Sequence, residues 1–224
     1  MSKSEIYESL SKAIIDGDIE LAKKAAEDAV NAGITPTDAI ENGLMKGMKI
    51  IGEKFSRLEM FLPNVLVAAD AMEAAIAVLK PRMMPEELSK IKIGKVVIGT
   101  IQGDIHDIGK SIVSIMLSAS GFEVFDLGKD VPLFNFVKKA DEINADIIAV
   151  SALMTTTMEY MRDLILLMKE TGVRQKYKVM VGGAPVLPEW AEEIGADGYG
   201  KDASEAVGVA KRLLRHKSCG RSHD

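Results

Sequence analysis

The chain has little cysteine and few aromatic side chains. Its single cysteine among 224 residues, Cys219, lies in a polar stretch near the C-terminus, so a disulfide framework is excluded. Aromatic residues make up only 5% of the chain. A hydrophobic core must therefore be built from Ala, Val, Ile, Leu and the 13 Met residues.

Basic surface, long apolar runs and a leader sequence are lacking as well. The net charge is −5 and the pI about 5.4, which excludes the electrostatic footprint typical of nucleic-acid binding. No uninterrupted run of 18 apolar residues occurs, so we expect no transmembrane helix. Residues 1–5 lead into a polar amphipathic pattern rather than an apolar signal segment. These features predict a soluble cytoplasmic protein.

The first 80 residues carry apolar side chains at helical spacing, in the stretches 6–14, 19–30, 40–55 and 62–79. The apolar positions of the last stretch are Leu62, Val65, Leu66, Ala69, Met72, Ile76 and Leu79. Glycine or proline lies in two of the breaks between stretches. Four amphipathic helices joined by short breaks predict a four-helix bundle over residues 1–80.

The rest of the chain alternates between strand and helix patterns. Residues 81–93, with two prolines and several charges, predict a linker. Predicted strands are 95–100, 122–126, 146–151, 177–182 and 197–199. Predicted helices are 107–119, 132–143, 157–171, 187–194 and 203–215. Apolar strands that alternate with helices predict a doubly wound, five-stranded parallel sheet of the Rossmann or flavodoxin-like kind, in a domain over 94–215 followed by a tail, 216–224.

One histidine lies in the loop after the first predicted strand. The residues of this loop are Gly103, Asp104, Ile105, His106, Asp107, Ile108 and Gly109. Open α/β sheets bind their ligands at the carboxyl ends of their strands, which is where this loop lies. Two interpretations are open. Either Asp104 caps the next helix, with Asp107 favouring its dipole and His106 an ordinary loop residue, or His106 binds a metal.

Position favours the second interpretation. The positive end of a helix disfavours an imidazolium and so favours neutral imidazole, the form that ligates metals. Asp104 is close enough in sequence to accept the other ring N–H, and Gly109 leaves room for a large planar ligand. Zinc needs three or four protein ligands, whereas His216 and His223 lie near the C-terminus. A metal on His106 would therefore take its equatorial ligands from a macrocycle, a corrin or a haem.

At this loop the chain resembles the corrinoid proteins of methyltransferase systems and the cobalamin module of methionine synthase. The resemblance covers about residues 1–215, in the same two-domain layout. Four blocks agree in the family's order and spacing: Asp104-x-His106-x-x-Gly109, Ser151-Ala152-Leu153, Gly182-Gly183-Ala184 and Phe61-Leu62-Pro63. The resemblance implies that the chain binds cobalamin.

The resemblance also implies three catalytic positions. His106 would replace the cofactor's own dimethylbenzimidazole as the lower ligand of cobalt, and Asp104 would hydrogen-bond His106. Thr157, where methionine synthase has serine, would continue the relay. Coordination chemistry adds that His106 would bind cobalt in the methylated state and loosen in the cobalt(I) state, with Asp104 and Thr157 taking up or passing the proton.

Other matching residues would contact the cofactor. Ser151 and Leu153 would line the channel of the displaced nucleotide tail, and Gly182 and Gly183 would let that tail approach the fourth strand. The implied contact set is completed by Asp107, Ile108, Gly109 and Thr155. Without the resemblance these blocks have plain alternatives, namely a strand end, a turn after a strand and a cap of the next helix.

Phe55 and Leu62 align with the two apolar residues that cover the methyl face of the corrin in the family. Without the resemblance both fit the core stripes of the third and fourth helices. Their position implies that the helical domain shields the cofactor from water and moves aside for a partner enzyme.

The implied function is that of a methyl carrier, rather than a complete enzyme. A substrate-specific methyltransferase would load the methyl group, a second methyltransferase would remove it, and a reductive activase could restore the cofactor. The segments 151–156 and 183–186 resemble methylamine-system carriers. Methanol, methoxyaromatic and glycine-betaine systems share the scaffold and are the alternative methyl donors.

Three other classes compete with the carrier. A receiver-like domain needs an aspartate at the end of strand three, whereas Asp146 begins this predicted strand and Ser151 ends it. A cobalamin-dependent mutase subunit would share the histidine loop without the helical cap. A cobalamin-sensing regulator would need a DNA-binding region, which the sequence does not indicate.

Overall fold

The computed structural model describes residues 1–83 and 93–218, with side chains described as far as residue 215. The chain divides into two compact units, Met1–Lys92 and Ile93–Asp224. Most of the predicted linker, and Cys219 with the rest of the predicted tail beyond the last helix, lie outside the described residues.

The described part of the first unit is entirely helical. Its elements in chain order are α1 (Lys3–Asp16), α2 (Ile19–Asn31), α3 (Pro36–Ala39), a π-helical turn (Ile40–Leu44), α4 (Met45–Ser56), α5 (Leu62–Leu79) and a 3₁₀ turn (Lys80–Arg82). Because α3, the π-helical turn and α4 follow one another without a break, they form one continuous helix. The unit therefore has the four helices that the sequence predicted.

The helix ends follow local sequence signals. Ser2 and Glu5 form a reciprocal capping box at the start of α1. Gly17 ends that helix in the left-handed region, with φ 66°, which a residue without Cβ adopts at little cost. Thr35 caps α3 immediately before Pro36, the residue type preferred at a first helical position.

Helix α5 packs against α1, α2 and α4. Its buried residues are Val65, Ala68, Ala71, Met72, Ala75 and Leu79. The predicted stripe is wrong at Leu66, of which 42% is exposed, because small alanines form much of the contact face. By length and composition alone Leu62–Arg82 could cross a membrane, and 33% of its apolar window is buried. The expectation of no such helix rested on an uninterrupted apolar run, which Asp70 and Glu73 break.

The second unit contains a five-stranded parallel sheet with helices between its strands. The strands are β1 (Lys95–Thr100), β2 (Glu123–Asp126), β3 (Ile147–Ser151), β4 (Lys178–Gly182) and β5 (Gly198–Tyr199). The helices are α6 (Ile108–Ala119), α7 (Leu133–Ile143), α8 (Thr155–Glu170), α9 (Pro188–Ile194) and α10 (Ala203–Ser218). The predicted fold class, a helical bundle followed by a doubly wound parallel sheet, is confirmed.

Strand order positions the site. The sheet runs β2-β1-β3-β4-β5, so successive strands are added on one side of β1 and then, from β3 onward, on its other side. Such a topological switch point is where open α/β sheets bind ligands. Thr100 pairs with Ser151, and Ser151 with Gly182, so the loops after β1, β3 and β4 meet at one edge.

The strands read as apolar runs because helices cover them. Every residue of β1 after Lys95 is buried, as expected for a parallel strand packed on both faces. Helix α6 contacts α10, whereas α7 contacts α8. The fully buried ring of Phe136 in α7 occupies the space above Gly99, where a Cβ would lie 2.9 Å from the ring.

Candidate functional site

The loop from Ile101 to Asp107 carries the predicted histidine. Helix α6 starts at Ile108, and the Asp107 side chain before it makes no capping hydrogen bond. Asp104 does not cap this helix either, because both of its oxygens are occupied elsewhere. The interpretation of Asp104 as the cap of this helix is therefore wrong.

Asp104 is the centre of the site and is fully buried. Its Oδ1 accepts the backbone N–H of His106 at 3.0 Å and contacts the ring Nδ1 of that residue at 2.8 Å. Its Oδ2 accepts the backbone N–H groups of Leu153 at 2.7 Å and Met154 at 3.2 Å. The hydroxyl of Thr157 lies 2.8 Å from the same oxygen. One carboxylate thus joins the histidine loop to the start of α8.

The surroundings keep this carboxylate ionised. Burial by itself would raise the pKa of Asp104, but hydrogen bonds from His106, Leu153 and Thr157 outweigh burial and hold that pKa well below its usual range. The carboxylate also lies at the N-terminus of α8, where the helix dipole favours a negative charge. Asp104 therefore acts only as a hydrogen-bond acceptor.

An acceptor at Nδ1 determines the state of the imidazole. In the neutral ring of His106, Nδ1 must carry the proton that is donated to Asp104, so the lone pair is on Nε2. The carbonyl of His106 accepts a hydrogen bond from the Thr100 hydroxyl at 3.0 Å. Of the His106 side chain 47% is exposed, against 0% for Asp104. The ring is oriented from inside the protein while its other edge remains accessible.

The ends of β3 and β4 and the segments that follow them supply further predicted contact residues. Ser151 ends β3 and is half-buried, whereas Leu153 and Thr155 are exposed. Gly183 has φ 135°, and a Cβ on it would lie 1.8 Å from the carbonyl oxygen of Ala152. At Gly182 a Cβ would lie 2.7 Å from the carbonyl oxygen of Gly200. The polypeptide itself therefore requires both glycines, whether or not a ligand is present.

Gly109 differs from those two glycines, because a Cβ on it would meet no atom within 4 Å. Large apolar side chains near it face solvent. Ile105 is 65% exposed and Ile108 79% exposed, and Leu153 of the neighbouring loop is 46% exposed. An exposed apolar surface of this kind indicates a ligand-binding site.

Phe55 and Leu62 belong to the first unit. Phe55 lies in the last turn of α4, and Leu62 is the first residue of α5; both are half-buried. Between them Leu58 is 77% exposed, with φ 59°, and Phe61 is 65% exposed. The predicted contact of Phe55 and Leu62 with a ligand of the second unit stays a prediction.

Asp130, in the loop after β2, is a further residue of the site, which no sequence pattern indicated. Its carboxylate accepts the backbone N–H of Gly103 at 2.7 Å, and its own N–H donates to the carbonyl of Asp104 at 2.9 Å. Because β2 pairs with β1 in the sheet, a polar residue after β2 was a recognisable signal only once the strand order was known.

A partly buried ion pair lies close by in sequence. Lys110, 4% exposed in the first turn of α6, contacts Asp126 at the end of β2, with 2.7 Å from Nζ to Oδ1. A lysine beside a helix N-terminus is disfavoured by the dipole, and the carboxylate offsets that effect. The pair links α6 to β2 and was also missed.

Within residues 1–83 and 93–215, no group of three or more His, Cys, Asp or Glu side chains could hold a metal ion. His106 can therefore supply one ligand, and a metal there needs a carrier that brings the others. The open space at Gly109 and the exposed apolar side chains fit a large, flat, mainly apolar group.

Comparison with known proteins shows matches over both units. Two family models, each described as a B12 binding domain, match residues 6–80 and 94–208. The dimethylamine corrinoid protein of Methanosarcina barkeri is 51% identical over 96% of this chain and 100% of its own length. The trimethylamine corrinoid protein of the same organism is 49% identical over 95% and 98%. The methanol:cobalamin methyltransferase complex MtaBC from M. barkeri contains a chain that superimposes with a TM-score of 0.78, at 32% identity over 96% of this chain and 81% of that one.

Proposed function

Since this chain belongs to the corrinoid proteins, a family built from B12-binding domains, we propose that it is the methyl carrier of a methylamine methyltransferase system and that His106 binds the cobalt. The observation that carries the proposal is the hydrogen bond from the half-exposed ring of His106 to the buried Asp104. That contact leaves Nε2 free as a ligand. The cofactor is a corrinoid, whose cobalt supplies the atom that accepts and releases a methyl group.

Asp104 holds His106 in the correct tautomer and orientation. As an ionised acceptor it stabilises the proton on Nδ1 and raises the electron density available at Nε2. Thr157 donates to Asp104 from the first turn of α8 and limits rotation of the carboxylate. Because the Asp104 carboxylate stays ionised, these hydrogen bonds keep the proton on Nδ1 of His106 and fix the orientation of the ring.

The apolar side chains around His106 are exposed in the protein alone, and a bound corrinoid would cover them and exclude water from the site. Ile105, Ile108 and Leu153 are the residues of this edge that a corrinoid would cover, and Gly109 leaves it room. Ser151, Gly182 and Gly183, at the ends of the neighbouring strands, border the path assigned to its nucleotide tail. Burying these apolar surfaces contributes to affinity through the hydrophobic effect. Phe55 and Leu62 are assigned to the opposite face of the corrinoid.

Identity favours methylamines as methyl donors. The named dimethylamine and trimethylamine relatives are 51% and 49% identical over nearly the whole chain, whereas the match to the methanol complex is 32% identical. A methylamine-specific methyltransferase would load the carrier, and a second methyltransferase would remove the methyl group. A reductive activase and a cytoplasmic location complete the proposal.

Electron paramagnetic resonance of the protein reconstituted with cob(II)alamin tests the role of His106. We expect a nitrogen triplet from a protein imidazole, which becomes a doublet when the protein is grown with ¹⁵N-labelled histidine. In labelled His106→Ala this histidine-derived doublet disappears. His106→Gln is a second variant of similar size, and circular dichroism of both apoproteins verifies that they are folded.

Two results would contradict the proposal. A splitting that keeps its form in ¹⁵N-histidine protein would mean that the cofactor's own base stays on cobalt. Retention of the protein-derived doublet in His106→Ala would assign the ligand to another histidine.

A separate assay tests the methyl donor. The reconstituted carrier, chemically reduced to the cob(I)alamin state, is mixed in turn with methyltransferases specific for dimethylamine, trimethylamine, monomethylamine and methanol, and the stoichiometric loss of each methyl donor is measured by mass spectrometry. We expect turnover with a methylamine enzyme. Turnover with the methanol enzyme alone would reject the methylamine assignment and leave the role of His106 standing.

A further inference from the structure

Asp130 makes two hydrogen bonds to the same stretch of the histidine loop. Its Oδ1 accepts the N–H of Gly103 at 2.7 Å, and its N–H donates to the carbonyl of Asp104 at 2.9 Å. The N–H of Gly103 precedes the peptide bond between Gly103 and Asp104, and the carbonyl of Asp104 follows it. One residue therefore fixes the backbone on both sides of the peptide that leads into Asp104.

The backbone of Asp130 is in the left-handed region, with φ 53°. Non-glycine residues adopt this region at a cost, which is smallest for Asn and Asp. Asn144, with φ 52°, lies at the C-cap of α7, where such a conformation commonly ends a helix. Asp130 caps no helix C-terminus, so its conformation is held by the contacts of its loop.

Neighbouring backbone pairs anchor that loop to β1. The N–H of Thr100 donates to Gly128 at 2.9 Å, and the N–H of Val131 donates to Thr100 at 3.0 Å. Ile101 and Val131 form a further parallel bridge, and both are buried. Asp130 thus extends from a well-anchored segment to the less constrained start of the histidine loop.

We propose that Asp130 is a positioning residue that holds the Gly103–Asp104 backbone so that Asp104 can orient His106 toward the corrinoid. The carboxylate of Asp104 is held by α8 on one side, whereas its backbone is held by Asp130 on the other. Removing the second support leaves Asp104 buried but free to shift along the loop. The fraction of protein with His106 on cobalt then falls.

Three substitutions separate the possible contributions. Asp130→Asn keeps the acceptor oxygen and tolerates the left-handed backbone, so it removes only the charge. Asp130→Gly keeps the backbone freedom and removes the acceptor. Asp130→Ala removes the acceptor and adds backbone strain. Asn144→Gly and Asn144→Ala are matched controls, because they make the same changes at a left-handed residue outside this loop.

Amide hydrogen exchange of the apoprotein is the first readout and needs no cofactor. We expect exchange at the Gly103 N–H to rise about tenfold in Asp130→Gly and Asp130→Ala, as loss of a hydrogen bond to a charged group allows. Asp130→Asn, which keeps the acceptor oxygen but not its charge, should give a smaller rise. Unchanged exchange in the glycine and alanine variants would overturn the proposal.

Electron paramagnetic resonance spectra of the same variants, labelled with ¹⁵N-histidine and reconstituted with cob(II)alamin, are the second readout. This part rests on the proposed function, and the wild-type spectrum tests that function by itself. When wild type shows the histidine doublet, we expect a smaller histidine-bound fraction in Asp130→Gly, recovery in Asp130→Asn and no change in the Asn144 variants. An unaltered fraction in Asp130→Gly, or an equal loss in Asn144→Gly, would contradict a positioning role. Absence of the doublet in wild type would instead reject His106 as the ligand, while the exchange experiment would still judge the backbone contact.

Discussion

The ring of His106 and the carboxylate of Asp104 meet at 2.8 Å although 47% of one side chain and 0% of the other are exposed. A group that faces solvent is thus oriented by a charge that solvent does not reach. Screening by water and salt is weak at the buried carboxylate, and a hydrogen bond to an ionised acceptor is stronger than one between neutral groups. This relationship makes His106 suitable as a ligand for a metal that arrives with its other ligands.

Asp104→Asn tests whether both oxygens of the carboxylate are needed. The single amide oxygen can accept from His106 or from the start of α8, but not from both, so buried donors lose their partner. We expect the free energy of unfolding of the apoprotein to fall by about 1–3 kcal/mol and histidine coordination to weaken. Urea denaturation and resonance spectra measure the two effects. Asp163→Asn, the same change at an exposed residue of α8, is the control, and an equal loss in both variants would refute the argument.

Thr157→Val removes the hydroxyl that donates to Asp104 while preserving the shape of a buried side chain. We expect a loss of about 1 kcal/mol in the free energy of unfolding, with recovery in Thr157→Ser. Thr156→Val changes the exposed neighbour in the same way and should stay within about 0.5 kcal/mol of wild type. Equal stability of the valine variants in chemical denaturation would show that the hydroxyl contributes little.

Gly109→Ala separates room for the cofactor from the needs of the polypeptide. A Cβ there meets no protein atom, and alanine favours the helix, so the apoprotein should gain up to about 1 kcal/mol. Corrinoid affinity should fall about tenfold, because the Cβ methyl group of the new alanine enters the space left for the ligand. Calorimetric titration and denaturation measure the two quantities, and unchanged affinity would remove Gly109 from the binding surface.

Gly183→Ala should behave in the opposite way. Its Cβ would lie 1.8 Å from a carbonyl oxygen, and its φ of 135° is one that glycine alone adopts readily. We expect a loss of about 3 kcal/mol or more in the apoprotein, or failure to fold. Thermal unfolding without cofactor is the measurement, and stability near that of wild type would mean that the loops after β3 and β4 can separate.

Alkaline pH should destabilise the second unit through Tyr177. Burial, together with the hydrogen bond to Asp141, raises the pKa of this phenol above its ordinary value. The protonated phenol therefore contributes stability that is fully present below pH about 10 and is lost as pH rises above it, by up to about 1.4 kcal/mol per pH unit. Denaturation of wild type and Tyr177→Phe from pH 8 to 11 gives the difference, in which titrating groups that do not interact with Tyr177 cancel. Parallel pH curves for the two proteins would contradict this assignment.

Much of the architecture could be predicted from local pattern. Apolar periodicity indicated four helices and then five strands alternating with helices. The observed structure differs from this prediction mainly in the residues at which those elements begin and end. Helix α8 begins at Thr155 rather than 157, because the Asp104 carboxylate, distant in sequence, accepts the N–H groups at its start. The error at Leu66 has a similar origin, since periodicity cannot tell which of two adjacent apolar stripes the neighbouring helices will cover.

The histidine loop was recognisable because its chemistry is concentrated within seven residues. Its supports were not recognisable, because they are separated from it by 27 residues at Asp130 and 49 at Leu153. The order β2-β1-β3 brings both together on either side of β1.

Residue type and spacing alone specified the helices and the parallel sheet and made His106 a candidate metal ligand, since propensity, periodicity and ligand chemistry are properties of short segments. Tertiary structure alone decided that Asp104 is buried yet ionised and that Asp130 holds the backbone of the histidine loop. It also decided that a close carbonyl oxygen leaves no room for a Cβ at Gly183. The physical reason is that the state of a charge and the space around a backbone depend on groups brought near by strand order, which no local pattern contains.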